Sequence, residues 1–299
     1  MGDSGLALAF AFLAALGFAS GNILVRVGTQ RVSAPTATFF TVLTGAILVL
    51  GLAFAFNLPD IIALPPAAYG WFALMGAMAY LVARVFNNTA ITMIGAARAV
   101  PMASLQPVFA FGLGVALLGE RPGLLVSLGT PTIVCGLVLV FLAESTAGPK
   151  ERILTIKTLG YLLAIGAAAS FASRDVISRH VVSGIAPPLV AAGFALAIGG
   201  SMLLTVIHRD VANSLRRLPG RYIVICGLAG ICQGLAVAFL FQALSRAPVT
   251  VVSPINASNP LITLALAHLF LRRLESINLL LVLGTLLSVG GVVMVVLGA

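Results

Sequence analysis

The sequence predicts an all-α integral membrane protein, with ten transmembrane helices arranged as two inverted five-helix repeats. Three observations lead there. Of 299 residues, 60% are hydrophobic and only 8% charged, and the mean hydropathy is +1.14. A soluble domain carries about 25% charged residues, so this chain cannot cover a water-facing surface and belongs in a bilayer. Second, ten apolar stretches each reach the roughly 20 residues that cross a hydrocarbon core of about 30 Å. Third, the first half recurs in the second. Phe18-Ala19-Ser20 with Arg26 returns as Phe171-Ala172-Ser173 with Arg179, and Pro101 with Pro107 returns as Pro254 with Pro260, all 153 residues later. After a two-residue slip, Glu120, Gly129-Thr130 and Gly136 match Glu275, Gly284-Thr285 and Gly291. An odd number of spans in each copy makes the second copy enter the membrane from the opposite side.

The spans fall near residues 6–26, 35–56, 67–91, 97–118 and 123–143 in the first repeat (residues 1–148). The second repeat (149–299) places them near 157–178, 187–207, 222–245, 249–271 and 277–298. Helix is the expected form because lipid offers backbone N–H and C=O groups no partner outside the segment. Turn residues punctuate the breaks: Asn57-Leu58-Pro59-Asp60, Gly119-Glu120-Arg121-Pro122, Gly148-Pro149-Lys150-Glu151-Arg152, and the stretch from His208 to Arg221. Residues 144–156 read as the linker between repeats. Gly17-x-x-x-Gly21 and Gly230-x-x-x-Gly234 read as places where neighbouring helices approach closely.

The net charge of +9 reflects seventeen basic residues that mostly flank apolar runs. They read as topology signals, not as a nucleic-acid surface. Twelve fall on one side: Arg26, Arg31, Arg98, Lys150, Arg152, Lys157, Arg209, Arg216, Arg217, Arg221, Arg272 and Arg273. Three fall on the other, namely Arg121, Arg179 and Arg246, while Arg84 and Arg174 are intramembrane. The positive-inside rule then directs both termini away from the cytoplasm of a cell inner membrane. Cys135, Cys226 and Cys232 all lie within apolar spans without metal-ligand spacing, and read as small core residues. The N-terminus lacks a basic n-region and a cleavage site, so it reads as the first span.

Ala96-Ala97-Arg98-Ala99-Val100-Pro101, continuing through Leu105-Gln106-Pro107-Val108-Phe109 to Leu118-Gly119-Glu120-Arg121, resembles the drug/metabolite transporter superfamily, of the ten-helix EamA type. The segment from Ser253-Pro254 to Pro260, with Glu275 beyond it, resembles the second-repeat version. The resemblance covers essentially the whole chain and implies a carrier of small molecules. Members usually have Trp-Ser or Trp-Gly in the first helix, where this chain has Gly17-Phe18-Ala19-Ser20. An arginine common in the family's second helix has no counterpart between Pro35 and Phe56. Aromatic exporters carry tyrosine and tryptophan before the fourth-helix proline, where this chain has Ser104 and Gln106, which argues against a large aromatic substrate. Members also commonly keep both termini in the cytoplasm, opposite to the charge count.

Asp175 is the acidic residue expected inside a span, and its repeat mate is Asn22. A charge at mid-bilayer costs several kcal/mol unless it meets a partner or a cavity. Two readings stay open: a neutralising ion pair near a membrane edge, or a proton or substrate-charge site. Desolvation favours the neutral form of a carboxyl group, as proton coupling requires. Arg174 adjoins Asp175 in sequence, and adjacent helical residues face different ways, so one of the two is expected to pair elsewhere. Arg84, beside Asn87 and Asn88, is expected to line the path with Asp175. Pro101, Pro107, Pro254 and Pro260 are expected to bend the fourth and ninth helices. Between them Ser104, Gln106, Ser253, Asn256, Ser258 and Asn259 offer uncharged donors and acceptors suited to a polar or zwitterionic small molecule. Tyr80, Gln233 and Gln242 add to this set. His268 reads as a packing residue and Glu120 and Glu275 as boundary charges.

No H-E-x-x-H, G-x-S-x-G or nucleotide-binding G-K-[ST] motif occurs. Without a nucleotide site, gradients or exchange would drive any flux, and no cofactor is predicted. The expectation is a secondary carrier, first an exporter and second a facilitative exchanger or uniporter, in which the inverted halves rock around a midplane cavity. Its expected partners are a small-molecule metabolite, protons and membrane lipid, with no nucleic acid; the oligomeric state is not legible. An intramembrane lipid-modifying enzyme is the rival, and it lacks the clustered acids or histidines such chemistry needs.

Overall fold

In a bilayer each segment must satisfy its own backbone, and helices account for nearly all of the described residues. The computed structural model describes residues 3–94, 99, 102–147, 157–215, 220–271 and 279–299, with no strand among them. Arg98, Pro101, Lys150, Arg152, Arg216, Arg217, Arg272, Arg273 and Glu275 lie outside the described residues, as does the side chain of His268.

The helices in chain order begin with α1 (Asp3–Gly28), α2 (Ala34–Phe56), a short α3 (Leu58–Ile62) and α4 (Pro66–Gly76). A π-helical stretch (Ala77–Ala83) joins α4 to α5 (Arg84–Ile94). Then follow α6 (Gln106–Leu118), α7 (Leu124–Ala147), α8 (Lys157–Val182), α9 (Pro188–Leu215) and α10 (Gly220–Leu244). The last are α11 (Val249–Asn256), α12 (Asn259–Leu271) and α13 (Leu279–Leu297). Among the described residues five stretches are long and apolar enough to cross a membrane: Ser4–Gly28, Ala34–Phe56, Pro66–Ile94, Pro188–Ala212 and Gly220–Leu244. Gln106–Leu118, Leu124–Val140 and Val282–Leu297 are apolar and shorter.

Two expectations need correction. The fourth and ninth spans are not bent continuous helices; each is broken. Ser104-Leu105 form a turn before α6, and Ala257-Ser258 form a turn between α11 and α12. These turns are repeat mates, 153 residues apart. The reason is local: proline has no N–H for the carbonyl four residues earlier and its ring crowds that turn, whereas it fits the first turn of a helix, where the missing N–H is not needed. Gln106-Pro107 and Asn259-Pro260 accordingly open new helices. The seventh span also runs further than expected, because α9 carries His208, Arg209 and Asp210 in its final turns.

Contacts divide the chain into two compact units, residues 1–81 with 177–246, and residues 82–176 with 247–299. Each takes segments from both sequence halves. In the first unit α10 packs against α1 and α2, and α9 packs against α2, α4 and α10. The glycine pairs permit this: an added Cβ at Gly17 would sit 2.9 Å from Ala236 Cβ, and one at Gly234 would sit 2.7 Å from Gly45 Cα. Phe72 and Phe194 stack with centroids 5.5 Å apart. In the second unit α7 packs along α13, and α6 along α11. Here the repeat mates cross over. Gly129 faces Gly291 and Gly136 faces Gly284, with an added Cβ at Gly129 only 2.8 Å from the Gly291 carbonyl. Since Gly129 is the mate of Gly284 and Gly136 of Gly291, this is the reciprocal pattern of a two-fold contact.

Candidate functional site

Asp175 lies on α8 in the second unit and is 0% exposed. Burial of a carboxylate is costly unless charge and hydrogen bonds compensate it. Three side chains do so. Gln106 Nε2 donates to Oδ2 over 2.9 Å. Ser253 Oγ donates to the same oxygen over 3.3 Å. Arg174 Nε stands 2.8 Å from Oδ1 as an ion pair. The two neutral donors come from the interrupted spans: Gln106 is the first residue of α6, and Ser253 precedes Pro254 in α11.

Arg174 departs from expectation. Adjacent helical residues point apart at Cβ, but the arginine stem is long enough to fold back, and both partners are buried. Asn256, one turn beyond Ser253 on α11, is 5% exposed. Its Oδ1 is buried without a hydrogen-bond partner among the described residues, like Thr250 Oγ1 one turn before Ser253. Thr250, Ser253 and Asn256 therefore share one face at three-residue spacing. Asn259 Nδ2 donates to the Asn256 carbonyl over 3.1 Å. Ser104, at the break before α6, is half-buried. Arg84 opens α5 half-buried, Asn87 buries an Oδ1 that has no hydrogen-bond partner among the described residues, and Asn88 is exposed.

The remaining predicted residues lie in the first unit. Asn22, the mate of Asp175, is exposed on α1 and accepts a bond from Gln233 Nε2 of α10 over 3.2 Å. Tyr80 is buried in the π-helical stretch, its ring resting where Gly199 of α9 leaves room. Gln242 contacts Arg246, whose Nη1 donates to its backbone carbonyl over 2.9 Å.

Sequence reasoning missed the part played by Glu120. Gly119 ends α6 with a φ of +66°, a left-handed cap that suits glycine, and turns the next residue toward α11. There Glu120 Oε1 accepts from Val249 N–H over 2.7 Å and Oε2 from Thr250 N–H over 2.9 Å. A carboxylate on unsatisfied N–H groups at a helix start complements the positive end of its dipole. The signal in sequence was Gly-Glu after an apolar run, which marks a helix end and not its remote partner.

A model of the EamA-like transporter family matches residues 5–142 and 158–297, one match in each half of the chain. The chain belongs to the EamA-like transporter family. It is therefore a multi-pass membrane transporter of the drug/metabolite transporter superfamily, with a small molecule as its substrate class. One solved crystal structure is similar over 96% of this chain and 95% of its own, with a TM-score of 0.78 at 21% identity. That likeness speaks to fold alone. No curated protein matches the chain. In this EamA-like transporter the interrupted helices supply both neutral donors to Asp175, Gln106 from α6 and Ser253 from α11.

Proposed function

We propose that this EamA-like transporter is a ten-span secondary carrier, built of inverted repeats over residues 1–148 and 149–299. It exports a small polar or amphipathic metabolite, such as an amino acid or related solute, by alternating access coupled to proton entry. The observation that carries this reading is the buried Asp175 carboxylate, held by Gln106 and Ser253 from two interrupted helices. Unpartnered acceptors on Asn256 and Thr250 favour a cargo with N–H or O–H donors. The crossed glycine pairs of α7 and α13 support the inverted arrangement.

Facilitative exchange is the second reading, favoured by the Arg174 ion pair. A carboxylate already neutralised by a guanidinium has less need of a proton. The experiment separates the two. Metabolites are screened by thermal shift on detergent-purified protein, and hits are then assayed for flux in vesicles. Asp175→Asn is expected to lose flux driven by a pH gradient while retaining counterflow exchange. Undiminished pH-driven flux in that variant refutes proton coupling through Asp175.

A further inference from the structure

Away from Asp175, the first unit carries an apolar groove between α2 and α9, with a volume of about 280 Å³. Its walls include Leu43, Ile47, Leu204 and Ile207, with the small Ala46 and Ala197 between them. Ile47 is 64% exposed, so the groove opens on the outside of the unit. It extends from Phe39 to Leu50 along α2 and from Leu196 to Ile207 along α9. At 1.5 Å per residue either wall is about 16 Å long. That is close to half of a hydrocarbon core of about 30 Å. The groove therefore has the depth of one leaflet.

One end of it is basic. The two helices run antiparallel, since Gly193 meets Leu50 and Gly200 meets Val42. The Phe39 and Ile207 end thus lies where α2 begins and α9 finishes. The end of α1 and the start of α10 lie there too, because Gly28 meets Cys226 and Val32, Ala37 and Cys226 form one cluster with Tyr222 against it. Arg26, Arg31, His208, Arg209 and Arg221 are all exposed on these four termini, against the single described acid Asp210. A one-leaflet apolar slot with a basic mouth matches an acyl chain joined to an anionic headgroup. Basic residues beside transmembrane helices attract such lipids. We infer that the groove between α2 and α9 binds one acyl chain of an anionic phospholipid, with its phosphate held by the basic end of this unit.

The test is native mass spectrometry of the full-length, detergent-purified protein titrated with phosphatidylglycerol or with phosphatidylcholine of identical chains. One phosphatidylglycerol is expected to be retained with about tenfold preference. Arg31→Gln with Arg209→Gln is expected to remove the preference and leave weak binding of both lipids. Ala197→Phe, at a half-buried wall position, is expected to weaken both lipids about equally. Each variant alters a different part, so loss of folding in one leaves the other decisive. Equal retention of the two lipids by the unaltered protein overturns the inference. So does a charge effect with no response to Ala197→Phe, which would mean a surface phosphate contact without an acyl slot. A dimer that dissociates on Ala197→Phe would assign the groove to a second copy instead.

Discussion

At the residue scale the decisive quantity is the distance from each donor to Asp175 Oδ2. Gln106 donates over 2.9 Å and Ser253 over 3.3 Å, so Gln106 should contribute more. Hydrogen bonds to charged groups are worth more than neutral ones, although bonds between membrane helices average below 1 kcal/mol because partners also exist in the unfolded bilayer state. Gln106→Leu is accordingly expected to destabilise the protein by about 1–2 kcal/mol, and Ser253→Ala by less. Thermal unfolding in detergent measures both, and the reverse order would contradict this geometry. Gln106 was legible as a polar residue before proline, and Asp175 as the acid in a span. Their meeting was not, because 69 residues separate them.

Among the elements, α11 has eight residues and begins on a carboxylate supplied by another helix end. Glu120→Ala should speed hydrogen exchange at the Val249 and Thr250 amides and cost about 1–2 kcal/mol. Glu120→Gln, which keeps one acceptor, should fall between. Unchanged exchange in Glu120→Ala would show the cap to be dispensable. The glycines of α7 give a second contrast. A side chain at Gly129 would meet backbone of α13, which cannot yield as a rotamer can, so Gly129→Val should lower the unfolding temperature by overpacking. Gly51 has nothing within 4 Å of an added Cβ, so Gly51→Ala should raise stability by up to about 1 kcal/mol through helix propensity alone. Periodic glycines announced close packing; which glycine faces which required the paired helices.

For the whole molecule, the charge asymmetry makes a prediction about orientation. Twelve basic residues against three should hold both termini outside the cytoplasm. A phosphatase reporter fused after Ala299 should then be active and a fluorescent protein at the same site dark. The opposite pair of results would show that insertion follows the common orientation of the family and not this count. The same scale holds the organisation into units. Each compact unit joins helices from both repeats, so contacts follow the repeat symmetry and not the order of the chain.

Helix, membrane insertion and duplication were decided by the sequence alone, because each follows from local composition or from a comparison of the chain with itself. Lipid solvates no backbone, and apolar runs of sufficient length have one stable form within it. Even the breaks before Pro107 and Pro260 arise locally, from a proline that cannot donate to the carbonyl four residues earlier. The tertiary structure decided what these signals cannot carry: that Arg174 folds back onto Asp175, that Ser253 joins Gln106 on one oxygen, and that Glu120 caps a helix 129 residues away. Such pairings depend on which helix faces lie against each other, and many packings of similar apolar helices satisfy the same sequence pattern until steric fit selects one.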